Sequence, residues 1–156
     1  MDNRLMEYRP EFEVPVAPPR WQHDEAELAL GAELLSAIHE GRLRPFLHGT
    51  ALQAGLPVPL AHAMASAVLP LAQRVFRPHD PRKSARLFTM ELEGLSPEDK
   101  EFELARHFIR FTRHAYRRAR QLQRGDPRQL ARAALAQAAR EHAPGLLPYL
   151  LPARPF

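Results

Sequence analysis

The sequence predicts an all-α fold: a small bundle of about four to five helices carrying extended, proline-rich N- and C-terminal arms. Three observations predict it. Apolar residues recur at helical spacing in several separate segments. Two positions, Ser96-Pro97 and Asp126-Pro127, pair a capping side chain with a proline at the first helical residue. Each such segment also meets glycine or proline where a helix should stop. The expected division is an acidic arm over residues 1–23, a helical domain over 24–143 and an apolar, proline-rich tail over 144–156.

The arm comes first. Pro10, Pro15, Pro18 and Pro19 forbid a helix and favour extended backbone. Phe12, Val14 and Val16 alternate with other residues, a pattern suited to strand-like docking, and Trp21 follows them. The first helix is expected over Asp24–Glu40, with Asp24 as N-cap, Glu27 three residues on in the capping-box position, and Gly41 as the stop. Leu28, Leu34, Leu35 and Ile38 should form its buried face.

Between Arg44 and Arg74 lie 29 residues without Asp, Glu, Lys or Arg. Pro45, Pro57, Pro59 and Pro70 interrupt them, and the longest clear piece falls short of the ~20 apolar residues a membrane span needs. Packed core helices are the expectation, with membrane association through residues 45–73 as a weaker alternative. Thr50–Met64 has the outline of a helix-turn-helix. Its second helix, however, would offer only His62 and Ser66 as polar groups, too little to read base edges. Arg77–Arg86 reads as a polar loop, and Leu87–Leu92 as a short strand or a helical turn.

The long helix is expected from Pro97 to about residue 124, capped by Ser96 and with Glu98 and Asp99 at the positive end of its dipole. Phe102, Ala105, Phe108, Ile109, Thr112, Ala115, Tyr116 and Ala119 share its core face, with Phe111 and Leu122 at the edge. Arg106, Arg110, Arg113, Arg117, Arg120 and Arg124 fall on a separate stripe within about 80° of one another. At 1.5 Å per residue the row is roughly 27 Å long. An alanine-rich helix follows from Pro127 to about His142. The tail should dock, through Leu150, Leu151 and Phe156, because its large apolar side chains would be a liability in water.

Composition narrows the function. At 156 residues the chain can bury a core without staples, and its lack of cysteine excludes disulfides and thiolate chemistry. Acids and prolines occupy the first 25 residues, where a signal peptide would need an apolar stretch, so a cytoplasmic location is expected. Charge is segregated. Residues 1–41 hold nine acids and three bases, residues 42–93 seven bases and three acids, and residues 94–156 twelve bases and six acids. Six aligned arginines repel one another unless something acidic faces them. Carboxylates of a protein surface, the chain's own acidic N-terminal arm and copies of this chain included, are the favoured partner, and nucleic-acid phosphate is the alternative. The simplest account of the stripe is a solvated face complementing the helix dipole.

Catalytic and cofactor motifs are not found. The eight histidines include no HExxH, and His107 and His114 stand two helical turns apart, so no metal site is expected. The seven glycines form no phosphate loop, and the serines lack nucleophile-elbow surroundings. A non-enzymatic interaction or assembly subunit without a cofactor is therefore the expected function. Glu91–Phe111, with its GLSPED, EFE and AR-x-F steps, together with REHAPGLL at Arg140–Leu147, resembles segments of uncharacterised bacterial proteins. That resemblance implies a bacterial source and a shared helical module, and carries no activity with it.

Overall fold

A computed structural model describes residues 20–76, 81–88, 94–122 and 124–150, with the side chains of 20–24 and 81–83 excepted. These residues are all-helical, and no strand occurs among them. Six α-helices follow in order: α1 (Arg20–His39), α2 (Leu43–Gln53), α3 (Val58–Phe76), α4 (Pro81–Leu87), α5 (Pro97–Gln121) and α6 (Pro127–His142). A 3-10 helix, Pro144–Tyr149, closes the described chain. This exceeds the four to five helices expected, because a stretch read as loop winds into α4. There Pro81 occupies the first position, and the buried Ser84 hydroxyl donates to the Val75 carbonyl at 2.6 Å.

Helix α5 is the axis of the bundle, with α1 packed along one side and α6 along another, while α3 lies against α2 and α6. Being covered from two directions changes which residues it buries. Phe111, placed at the edge of the core face by its angular position, is fully buried, stacked edge-on to Phe108 at 5.8 Å between ring centroids. Phe102, placed within that face, is only half-buried. The expected start of α5 is present: the Ser96 side chain accepts from the Asp99 N–H at 3.2 Å, and Pro97 is the first helical residue. Its end is not. The helix stops at Gln121, short of Gly125, because Leu122 leaves helical backbone angles (φ −89°, ψ 79°) while its N–H still bonds back to Arg118 and Ala119.

Helix α1 begins four residues before Asp24, so Asp24 lies inside it and Glu27 is not a capping-box residue. The stop at Gly41 is present: with φ +73° the glycine takes the left-handed turn that reverses the chain, and Arg42 N–H reaches the Ala37 carbonyl at 2.8 Å. The buried face of α1 is Glu27, Gly31, Leu34 and Ala37. Leu28, expected inside, is 40% exposed. Gly31 faces the Arg106 backbone, where even an added Cβ would make an ordinary contact at 3.5 Å, so α1 packs on α5 along its Glu27–Gly31–Leu34 side rather than its Leu28 side.

The uncharged segment forms α2, a turn at Gly55 and α3. Pro70 does not break α3; it sits on the exposed side of the helix, where losing one backbone hydrogen bond is tolerated. Met64, Val68, Leu71 and Val75 fill the core, and among the described residues no helix is long and apolar enough to cross a membrane. The small side chains Ala131, Ala134, Ala138 and Ala139 let α6 seat deeply against its neighbours.

At the C-terminus the 3-10 helix folds back onto α4 and α6. It buries Leu146, and Leu150 just after it is only 4% exposed. Gly145 is where it passes α4, since a Cβ there would meet the Leu87 Cα at 2.6 Å. Of the other residues expected to dock, Phe12, Val14, Val16, Leu151 and Phe156 lie outside the described residues, as does the side chain of Trp21.

Candidate functional site

The arginine row on α5 splits into two halves with different surroundings. At its inner end Glu27 reaches across from α1 and receives two parallel hydrogen bonds from Arg110, Nε to Oε2 at 2.9 Å and Nη2 to Oε1 at 2.8 Å. Arg106 lies beside them, with Nη2 3.9 Å from the same Oε1 and Nη1 donating to Glu103 at 2.9 Å. Its Nε is buried and makes no hydrogen bond among the described residues. Glu27 is only 7% exposed. Burial alone would raise its pKa, yet the hydrogen bonds and charge of Arg110, with the charges of Arg106 and Arg113, outweigh that and hold the carboxyl below its ordinary value. A buried, doubly bonded ion pair therefore pins α1 to α5.

Among the described residues no carboxylate pairs directly with the outer half, although the charge of Arg113 still bears on Glu27. Arg113 is half-buried and Arg117 is exposed, and neither makes a hydrogen bond or ion pair among the described residues. Arg120 donates from Nη1 to the Ala54 carbonyl at 3.0 Å, which ties it to the end of α2. These three arginines, with Thr50, Gln53 and Tyr116, line an open cleft of about 270 Å³ between α2 and α5. The Tyr116 hydroxyl lies 2.9 Å from Thr50 Oγ1, and Thr50 already donates its one proton to the Leu47 carbonyl at 3.0 Å, so Tyr116 is the donor of that pair. Burial pushes the Tyr116 phenol up, against smaller opposing effects of Thr50 and Thr112, and keeps it protonated. Arg124 is not part of the ladder: it follows the end of α5, in the bend before Gly125, and is exposed.

A second cluster was not legible in the sequence. His114, near the middle of α5, and His142, at the last residue of α6, are 28 positions apart and are brought together by the packing of those helices. His142 Nε2 and His114 Nδ1 lie 2.9 Å apart, and Glu141 Oε2 is 3.5 Å from His114 Nε2. His107, two turns earlier on α5, takes no part and lies beside Phe88 and Glu103. His142 is held below its ordinary pKa, first by burial and then by the neighbouring charges of His114, Arg110 and Arg117, with Glu141 opposing. The available signal was only the basic end of an alanine-rich helix, which dipole complementarity accounts for.

No family model, no curated protein and no solved structure matches this chain, so the geometry of these sites carries the functional reading.

Proposed function

We propose that this chain is a non-enzymatic helical interaction subunit that binds an acidic protein surface through Arg113, Arg117 and Arg120 at the cleft between α2 and α5. One observation supports the reading: the ladder is paired internally at Arg110 by Glu27 and at Arg106 by Glu103 and Glu27, while its continuation opens on a concave surface that no carboxylate of the described residues pairs with. A solvated face requires no cleft. The Glu27–Arg110 pair also displays the kind of group that the row accommodates, a carboxylate held by a guanidinium fork. A cleft of about 270 Å³ suits one or two acidic side chains better than the continuous backbone of a nucleic acid. Desolvated charge pairs in such a pocket give both orientation and specificity.

The test is fluorescence anisotropy of the full chain with a labelled glutamate-rich peptide and, separately, labelled random-sequence DNA of equal charge. Peptide binding is expected, weakened at least about tenfold by Arg117→Glu with Arg120→Glu, both at exposed positions. Preferential DNA binding with a steep salt dependence would transfer the stripe to phosphate recognition. Binding of neither probe would return it to a solvated face.

A further inference from the structure

We propose that His114, Glu141 and His142 form a binding site for one divalent transition-metal ion, zinc by chemical class, at the junction of α5 with the C-terminal end of α6. None of these three side chains lines the arginine cleft.

The donor set is the first argument. One potential ligand atom from each of the three residues lies within 4.8 Å of the other two. Two imidazoles and a carboxylate are borderline donors that suit zinc, nickel, cobalt or copper and discriminate against magnesium and calcium, which prefer all-oxygen shells. Three protein ligands leave at least one coordination position for solvent or for a group from a partner.

Geometry is the second. The facing ring nitrogens, His114 Nδ1 and His142 Nε2, are 2.9 Å apart, with the ring planes at 64°. A tetrahedral ion with bonds of ~2.0–2.1 Å needs its donors about 3.4 Å apart. A small rotation of both rings therefore opens room for the ion without moving a helix. The Glu141 carboxylate lies by the other ring nitrogen of His114, Nε2, so it must swing to the Nδ1 side to join the ion; its side chain is 64% exposed and both rings are partly exposed, which leaves room for that movement and a direct route in. The backbones need no reorganisation, because α5 and α6 are already packed together along their length.

Electrostatics is the third. The cluster stands at the C-terminal end of α6, where the helix dipole places partial negative charge and favours a cation. Glu141 supplies a full negative charge. Opposing it are the positive charges of Arg110 and Arg117, whose influence reaches His142; that of Arg110 is offset by its pairing with Glu27. Without an ion, the close nitrogens must share one proton between them, with one ring donating and the other accepting. A metal ion takes the place of that proton and satisfies both lone pairs at once.

The experiment is calorimetric titration of the chelator-treated full chain with Zn²⁺, followed by Ni²⁺. One equivalent per chain is expected. His114→Ala and His142→Ala should each weaken binding at least ~100-fold, and Glu141→Gln about tenfold, since loss even of outer-sphere partners commonly costs 10–100-fold. Long-range ¹H–¹⁵N spectra of the unaltered chain give a readout that needs no variant: on adding Zn²⁺ the ring nitrogens of His114 and His142 should shift together, with the other histidines unmoved. Absence of stoichiometric binding, or binding that survives in the folded His114→Ala/His142→Ala double variant, would overturn the assignment. So would ring-nitrogen shifts confined to other histidines.

Discussion

Glu27 and Arg110, 83 residues apart in sequence, share two hydrogen bonds of 2.8 and 2.9 Å, and through them α1 is locked in register against α5. The pair stands one helical turn from Gly31, on the same face of α1, which packs on the α5 backbone at Ala105 and Arg106. This contact also divides the arginine ladder into an inner half with a structural task and an outer half left to face the α2–α5 cleft.

Removing the carboxylate should be costly. Glu27→Gln leaves Arg110 and Arg106 beside a neutral group in a half-buried setting. Breaking one partner of a fully buried pair costs 3–5 kcal/mol; with the Arg110 side chain 36% exposed the expected loss is about 2 kcal/mol. Urea denaturation of the two proteins checks this.

The same residue should shape acid stability. Its folded pKa is below the ordinary 4.5, so the unfolded chain takes up the proton first as pH falls. The stabilisation is therefore complete above about pH 4.5 and is lost as pH drops through the folded value. Denaturation midpoints measured from pH 7 to pH 3 should fall less steeply below 4.5 in Glu27→Gln than in the parent chain.

His107 should contribute an earlier step. Burial first, and Arg110 and Arg106 after it, hold its pKa below 6.5, against the smaller opposing effects of Glu103 and Glu27. A depressed histidine pKa has the same sign: stability declines as pH falls below about 6.5, because the unfolded state binds the proton more readily. His107→Gln should flatten the pH dependence just below 6.5, whatever its effect on absolute stability.

Gly145→Ala should destabilise by about 1–3 kcal/mol, because the new methyl would meet Leu87 backbone at 2.6 Å rather than a side-chain tip that could swing away. Thermal unfolding followed by circular dichroism reads the effect directly. An unchanged midpoint would show that the 3-10 helix does not pack against α4 as described.

Ser96→Ala should cost about 1 kcal/mol, since its hydroxyl satisfies the Asp99 N–H at the start of α5. Ser96→Asp should recover most of that loss, because a carboxylate makes the same bond and complements the dipole.

The helical class, the start of α5 at Ser96-Pro97, that of α6 at Asp126-Pro127 and the turn at Gly41 were legible because each depends on a few neighbouring residues: a side chain within reach of a free N–H, a ring fixing φ, a glycine at positive φ. Periodicity likewise identified most of the core face of α5. What it misjudged, Phe111 and Leu28, depended on how many neighbours a helix has and how closely they approach, which no local spacing encodes. Arg106 to Arg120 could be lined up from sequence alone, because their alignment is a property of one helix. That Glu27 would consume the inner part of the row could not.

What the sequence by itself determined is therefore local: where α5 and α6 begin, which side of α5 is apolar, and that arginines line one stripe of it, six expected, of which five lie on the helix. Tertiary structure alone decided which charges meet. Glu27 with Arg110 and His114 with His142 are separated by 83 and 28 residues, and their contact depends on the relative placement of α1, α5 and α6. That placement depends on how the buried faces fit together, the small alanines of α6 among them, and such fit acts only once the helices are packed against one another.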